Sequence, residues 1–329
     1  MTGLVQTQKR YMRLHEYQAS QLVHRYMIPI PHSMVAFNSK EAYFIARKLG
    51  HERDYEGKFV VKAQVQAPAR TKGVFKENGF KSGIHIVDTI DEVRDVTENM
   101  CGKHLILPTS TDQGFLVNCV LVMEHVETDS NFLLSIRYDR AKQCPVIIYS
   151  KDGGLTLEKI RKKNPDSVKK IHFDPFDGLD IVGLTQVAKD LGISHKQSQL
   201  MFLIKNMWEC FQQRDLTEIS LNPLIYTKDD QFMAGNVIIH VDPSALYRQQ
   251  ELLTWEDRTQ EHNYERIASS WDLCYRYLGG DIGIMTDSAG AALAACDLVE
   301  LHGGKPANFV DLGGSVIHEQ IHEVSTILE

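Results

Sequence analysis

The stretch Phe59-Val60-Val61-Lys62-Ala63-Gln64-Val65-Gln66-Ala67-Pro68-Ala69-Arg70-Thr71-Lys72-Gly73 decides how the first half of the chain is read. An apolar run carrying Lys62 predicts a buried strand, and the loop behind it sets Arg70, Lys72 and Gly73 within a few residues of that lysine. A lysine is rarely buried without an anion nearby. Point charges from a strand and a basic loop can neutralise a polyphosphate, while a small loop lets backbone N–H groups approach it. A lysine snorkelling from a strand end beside a solvated basic loop has the same pattern. The stretch alone leaves both readings open.

At 329 residues and 43% hydrophobic content, the chain can bury large cores and is expected to hold two or three domains. A formal net charge of -7 argues against general nucleic-acid binding. No apolar run approaches the roughly 20 residues that span a bilayer, so membrane insertion is not expected. The six cysteines are widely spaced with no C-x-x-C pair, which argues against a zinc ribbon and for small core residues in a reducing compartment. Residues 1–13 contain Lys9, Arg10 and Arg13 and no acid, which suits the remnant of an organelle-targeting presequence.

Working outward, a helix is predicted from Leu14-His15-Glu16-Tyr17 through Tyr26, stopped by Pro29 and Pro31, and Ser39 is expected to cap a second. The lysine strand, a strand at 84–87 and an acidic helix at 91–100 complete a small αβ module at about 31–104. Strands at 105–107, 115–124, 132–138 and 145–150 then alternate as a mostly antiparallel sheet. Helices at 184–191 and 196–213 and a hairpin at 218–241 follow. The polar stretch 251–266 reads as a linker. From 267 on the order becomes βαβα, with strands at 282–286 and 307–312, which predicts a parallel sheet with ligands at the strand C-termini. Two parallel strands make a poor sheet alone, so this domain is expected to dock on a partner or to lack its remainder.

These pieces, in this order, resemble the β subunit of succinate-CoA ligase. The matching stretches are Leu14-His15-Glu16-Tyr17-Gln18, Val61-Lys62-Ala63-Gln64-Val65, Asn222-Pro223-Leu224, Ala245-Leu246-Tyr247-Arg248-Gln249 and Leu301-His302-Gly303-Gly304-Lys305-Pro306-Ala307-Asn308-Phe309. The resemblance implies an α/β and α+β architecture: an ATP-grasp domain over 14–250, then a truncated CoA-ligase-type (flavodoxin-like) parallel α/β domain over 267–329. It also implies a mitochondrial (matrix) or bacterial enzyme whose α subunit carries CoA and a phosphorylated histidine, while the β subunit binds ATP or GTP with magnesium. By resemblance, Lys62, Arg70, Lys72 and Gly73 contact the nucleotide phosphates and Glu124 contacts the nucleotide near the hinge of the two lobes.

Several neighbours depart from the family pattern. Pro68 and Ala69 replace two glycines of the phosphate loop and Thr71 replaces a third, which removes an N–H donor and stiffens the loop. Asn131 and Ser220 stand where the family has acids. The metal position keeps Asn222 and has Asn236 for an aspartate, so it supplies no charge. In the second domain Asp287 replaces an asparagine that would donate to a succinate carboxylate, and the glycine turn is Gly313-Gly314-Ser315, still a plausible anion-binding helix N-terminus. At about 3 kcal/mol per lost preorganised contact, two losses would slow turnover roughly ten-thousandfold. The favoured expectation is therefore a paralogue with impaired or lost catalysis, serving an α subunit or a larger protein assembly; the alternative is an active ADP- or GDP-forming β subunit. His318-Glu319-Gln320-Ile321-His322 also spells H-E-x-x-H, a zinc-hydrolase pattern. A solvated helix face is the expected reading there.

Overall fold

Runs of β-branched and aromatic residues at alternating positions build the larger part of the chain from antiparallel sheet. The structure, a computed structural model, describes residues 12–328 apart from 53, 54, 56, 109, 111, 112 and 272. It divides into two compact units, one reaching to Glu256 and one beginning at Asp257. Of the expected targeting remnant, residues 1–11 lie outside the described residues. Arg13 belongs to a strand, Met12–Arg13, that pairs with Val241 and His240.

The large sheet of the first unit runs in the order Met12–Arg13, Val237–Val241, Leu216–Thr227, Thr128–Asp139, Cys144–Ser150, Lys169–His172, with Phe232–Ala234 also on Leu216–Thr227. Helices Glu16–Arg25, Ile181–Leu191 and Gln197–Gln213 bury their apolar stripes with it in one core. Leu200, Leu203, Ile204, Met207 and Phe211 are all buried, as their three-and-four spacing requires. Helix Leu157–Lys163 and edge strand Lys169–His172 were not expected; they are strongly basic, and of the helix only Ile160 is buried.

A second, four-stranded sheet has the order Ser33–Ala36, Val120–Glu124, Phe59–Ala63, Ile84–Val87. Its core is shared with helices Ser39–Glu52 and Ile90–Met100. The expected strand at 115–124 is thus broken in two. Phe115–Leu116 joins a separate three-stranded sheet with His104–Ile106 and Val74–Phe75, while Val120–Glu124 crosses into the lysine-bearing sheet, beyond the 31–104 span. The second helix is capped by Asn38 rather than Ser39: Asn38 Oδ1 accepts from the Glu41 N–H at 2.9 Å, and Glu41 Oε2 accepts from the Phe37 N–H at 2.8 Å.

The second unit pairs Cys274–Tyr277 antiparallel with Asn308–Asp311. Ile282 and Thr286 meet Pro306 and Asp311 in parallel bridges, so the expected parallel pairing is present in a reduced form. Asn308 explains the reduction, because its buried side chain bonds both Ile284 N–H (2.8 Å) and Ile284 C=O (2.6 Å) and takes the place of ladder bonds there. Helices Asn263–Ser270, Ala289–Leu301 and His318–Leu328 complete the unit. Among the described residues no helix is long and apolar enough to cross a membrane.

Candidate functional site

Lys62 lies on Phe59–Ala63, a strand with neighbours on both sides and all five residues buried. Its ammonium donates to Glu16 Oε1 at 2.7 Å and to the Gly235 carbonyl at 2.7 Å. Arg70 Nη2 donates to the other Glu16 oxygen at 2.5 Å, and Nη1 to the Ala63 carbonyl at 2.9 Å. One carboxylate, in the first turn of helix Glu16–Arg25, therefore bridges both cations. Burial alone would raise the Glu16 pKa, yet the Lys62 and Arg70 charges outweigh it and hold the carboxyl below its ordinary value. Burial pulls the Lys62 pKa down, and Glu16 offsets part of that. The lysine is buried because its counter-ion is built in.

Beside this triad opens a cleft of about 390 Å³. Val60, Ile84 and Met123 give it an apolar wall, and Arg70, Lys62 and Glu16 a charged end. Glu124 lines it too, and its Oε1 is buried with no hydrogen-bond partner among the described residues. That oxygen is an acceptor available to an N–H or O–H of a ligand. An apolar wall, a convergent acceptor and a cationic end match the three parts of a nucleotide, in a space of the size small-ligand sites have.

Of the sequence-expected residues, Lys62, Arg70, Glu124, Asn131, Asn222 and Asn236 all line this cleft. Lys72, Gly73 and Ser220 do not. Lys72 is exposed on the three-residue helical turn Arg70–Lys72. Gly73 is a packing glycine: a Cβ there would come within 2.5 Å of Leu105, and its N–H donates to the Arg70 carbonyl at 3.1 Å. Ser220 is buried between Ile238 and Ser135 of the neighbouring strands. Ala69 adopts the left-handed conformation that favours glycine, with φ 63°. Holding an L-residue there costs roughly 1–2 kcal/mol.

The wall facing the cations is made of amides. Asn222 Oδ1 accepts from the Gly154 N–H at 2.7 Å and its Nδ2 donates to the Leu155 carbonyl at 2.8 Å. Asn236 Oδ1 accepts from Arg70 Nη2 at 3.2 Å and its Nδ2 donates to the Asn222 carbonyl at 3.0 Å. Both side-chain oxygens already serve protein donors, and neither carries charge. Magnesium is held by carboxylates and phosphates in near-octahedral geometry, so these residues do not fit a magnesium site. Among the described residues no three His, Cys, Asp or Glu are grouped to hold a metal ion, His318, Glu319 and His322 of the last helix included.

In the second unit, Asp287 and Gly313 each directly follow or closely follow the residues of the parallel bridge Thr286–Asp311, so both lie at C-terminal ends of paired segments. Asp287 is exposed ahead of helix Ala289–Leu301, which Ser288 caps. Gly313, at φ 73°, has its N–H turned back onto Asp311 Oδ1 at 2.8 Å, and Gly314 is exposed beside it.

Comparison with known proteins bears on this arrangement directly. The ATP-grasp domain family matches residues 13–226. The β subunit of the ADP-forming succinate–CoA ligase of Coxiella burnetii is 35% identical over 319 residues, covering 96% of this chain and 78% of that one. The chain belongs to the succinate–CoA ligase β-subunit family. Other members similar to it are the mitochondrial ADP-forming subunit of Saccharomyces cerevisiae, 34% identical over 96% of the chain and 73% of its own length, and the mitochondrial GDP-forming subunit of Dictyostelium discoideum, 34% identical over 98% and 75%. The fold extends further, to an ATP citrate lyase of Methanothrix soehngenii solved with citrate and coenzyme A. That likeness has a TM-score of 0.64 at 15% identity and covers 97% of this chain and 76% of that one.

Three residues of the cleft escaped the sequence reading. Glu16 sat inside a stretch quoted for the family likeness, but nothing in its helical context announces a partner 46 residues away. Arg13 was absorbed into the presumed presequence. Lys159 lies on the unexpected helix Leu157–Lys163.

Proposed function

We propose that this chain is a succinate–CoA ligase-type β subunit whose cleft still accepts a nucleotide but whose turnover is impaired or lost. The carrying observation is the amide wall: Asn222 and Asn236 spend their side-chain oxygens on Gly154 and Arg70, and the carboxylates among the described cleft residues are Glu16, which is paired with Lys62 and Arg70, and Glu124. Lys62 and Arg70 would orient a polyphosphate, Glu124 would accept from the base or ribose, and Val60, Ile84 and Met123 would exclude water from it. A metal, where present in such enzymes, draws charge off the transferring phosphoryl group; this wall supplies nothing to hold one. As a β subunit the chain would pair with an α subunit; by resemblance that subunit would carry CoA and the phosphorylated histidine, and a larger assembly is the other partner to test. The relatives are both bacterial and mitochondrial, and the mitochondrial matrix is the location the resemblance suggests.

A second reading, an active ADP- or GDP-forming subunit, is favoured by the retained cations and by the open Glu124 acceptor. Co-expression with a family α subunit, followed by γ-labelled ATP or GTP and detection of phosphohistidine, separates the two. Labelling at least about a hundredfold slower than with a family β subunit is expected, the scale of one lost electrostatic contact. Labelling at a comparable rate would overturn the proposal in favour of the active enzyme.

A further inference from the structure

Positive charge is unevenly placed between the two walls of the cleft. Lys62 and Arg70 share the carboxylate of Glu16, so two cations against one anion leave a single positive charge on that side. The facing wall of Asn222 and Asn236 offers neutral amides. A nucleoside triphosphate carries more negative charge than the triad can balance, and transferring phosphoryl groups are held by cations gathered around them. A further cation on the amide side would complete the balance.

The amide wall anchors a loop that brings one. The Asn131 carbonyl accepts from the Gly153 N–H at 2.9 Å, Asn222 Oδ1 accepts from the Gly154 N–H at 2.7 Å, and Asn222 Nδ2 donates to the Leu155 carbonyl at 2.8 Å. Gly153 lies so close to strand Thr128–Asp139 that a Cβ there would clash with the Phe132 carbonyl, an approach that only glycine allows. Three consecutive residues are thus pinned before the chain enters helix Leu157–Lys163. Ile160 fixes that helix in turn, fully buried in a cluster with Leu133, Val146 and Ile148 of the sheet. Thr156 and Lys159, three residues apart and so on one side of the turn, both line the cleft, whereas Arg161, Lys162 and Lys163 do not. Lys159 is exposed and has no ion-pair or hydrogen-bond partner among the described residues. Its charge is therefore uncompensated by the chain.

We propose that Lys159 is a phosphate-binding residue of the cleft, its ammonium contacting the outer phosphates of a bound nucleotide from the amide side. The assignment rests on the nucleotide reading of the cleft given above and adds to it a second cationic wall. A lysine suits the task, because its ammonium is a compact point charge on a flexible four-carbon stem and can follow phosphate oxygens from an exposed position. A side-chain charge there takes up part of the load that a metal carries where carboxylates hold one. The cleft can then grip a triphosphate without magnesium. Arg161, Lys162 and Lys163, outside the cleft on the same helix, form an ordinary solvated basic face.

Calorimetric titration of ATP and of AMP into the full chain, with metal chelated, tests the assignment. ATP is expected to bind about tenfold more weakly to Lys159→Gln, the low end for a hydrogen bond to a charged group. AMP, which lacks the outer phosphates, is expected to bind Lys159→Gln and the unmodified chain alike. Lys159→Arg is expected to recover most of the loss for ATP, and Lys163→Gln, the same change of charge outside the cleft, to leave ATP affinity unchanged. Lys159 is exposed, so its variants are expected to keep the urea midpoint of the unmodified chain. Unchanged ATP affinity in Lys159→Gln, an equal loss for AMP, or an equal loss in Lys163→Gln would each overturn the role of Lys159 while leaving nucleotide binding in place. Failure of the unmodified chain to bind ATP would overturn the nucleotide reading itself, and the role of Lys159 with it.

Discussion

The two walls of the cleft differ in how their polar groups are satisfied. On one side Glu16 compensates Lys62 and Arg70 with full charges at 2.7 and 2.5 Å. On the other, Asn222 and Asn236 satisfy backbone and Arg70 with neutral amides. The charged wall is tied into the fold, because three elements meet in it: the helix at Glu16, the strand at Lys62 and the loop at Arg70. The amide wall holds no ion pair, and an Asp in place of either Asn would keep the shape while losing one N–H bond to a backbone carbonyl. The proposed loss of turnover falls on the amide side, while the charged side is held by its own ion pairs.

The largest break in that comparison comes from Glu16→Gln. It leaves two buried cations without a counter-charge and is expected to cost about 3–5 kcal/mol, read as a fall in the urea midpoint. The sign with pH follows from the lowered Glu16 pKa. A depressed carboxyl contributes stability above its unfolded pKa and loses it as pH falls through the folded value. The gap between wild type and Glu16→Gln is thus expected to be full at neutral pH and to close in acid below the ordinary value of 4.5. A gap that widened in acid would show that Glu16 is not the counter-ion.

Next in size is Asn236→Asp, which restores one hard, charged oxygen 3.2 Å from Arg70. Magnesium-dependent affinity for ATP or GTP is expected to rise about tenfold, equal to roughly 1.4 kcal/mol, measured by titration calorimetry. Adding Ser220→Glu is expected to help less than its sequence position suggests, since Ser220 is buried and does not line the cleft. The smallest effect is that of Ala69→Gly. Relief of the left-handed strain at φ 63° is expected to stabilise the chain by about 1 kcal/mol, less the entropy glycine loses on folding. A lower midpoint in Ala69→Gly would show that the loop bears no strain.

How much of this was legible in the sequence depends on the range of each interaction. The buried strand around Lys62, the apolar stripe of Gln197–Gln213 and the hairpin turning near Asp229 are local patterns, and the chain folds as they indicate. Leu157–Lys163 and Lys169–His172 are polar on most faces and leave no periodic trace. The ion pair of Glu16 with Lys62, the packing role of Gly73 against Leu105 and the placement of Arg13 beside His240 are long-range facts. No spacing rule along the chain encodes them. That Asn236 carries no charge is plain from its residue type; that its oxygen is already spent on Arg70 required coordinates.

The central claim is that the cleft retains a nucleotide site and has lost its metal side. ATP affinity of the unmodified chain, titrated by calorimetry with magnesium and again with the metal chelated, tests it most directly. Measurable binding that changes by no more than about twofold, an increment below 0.5 kcal/mol, is the expected result. Binding that strengthens tenfold or more when magnesium is supplied would contradict it.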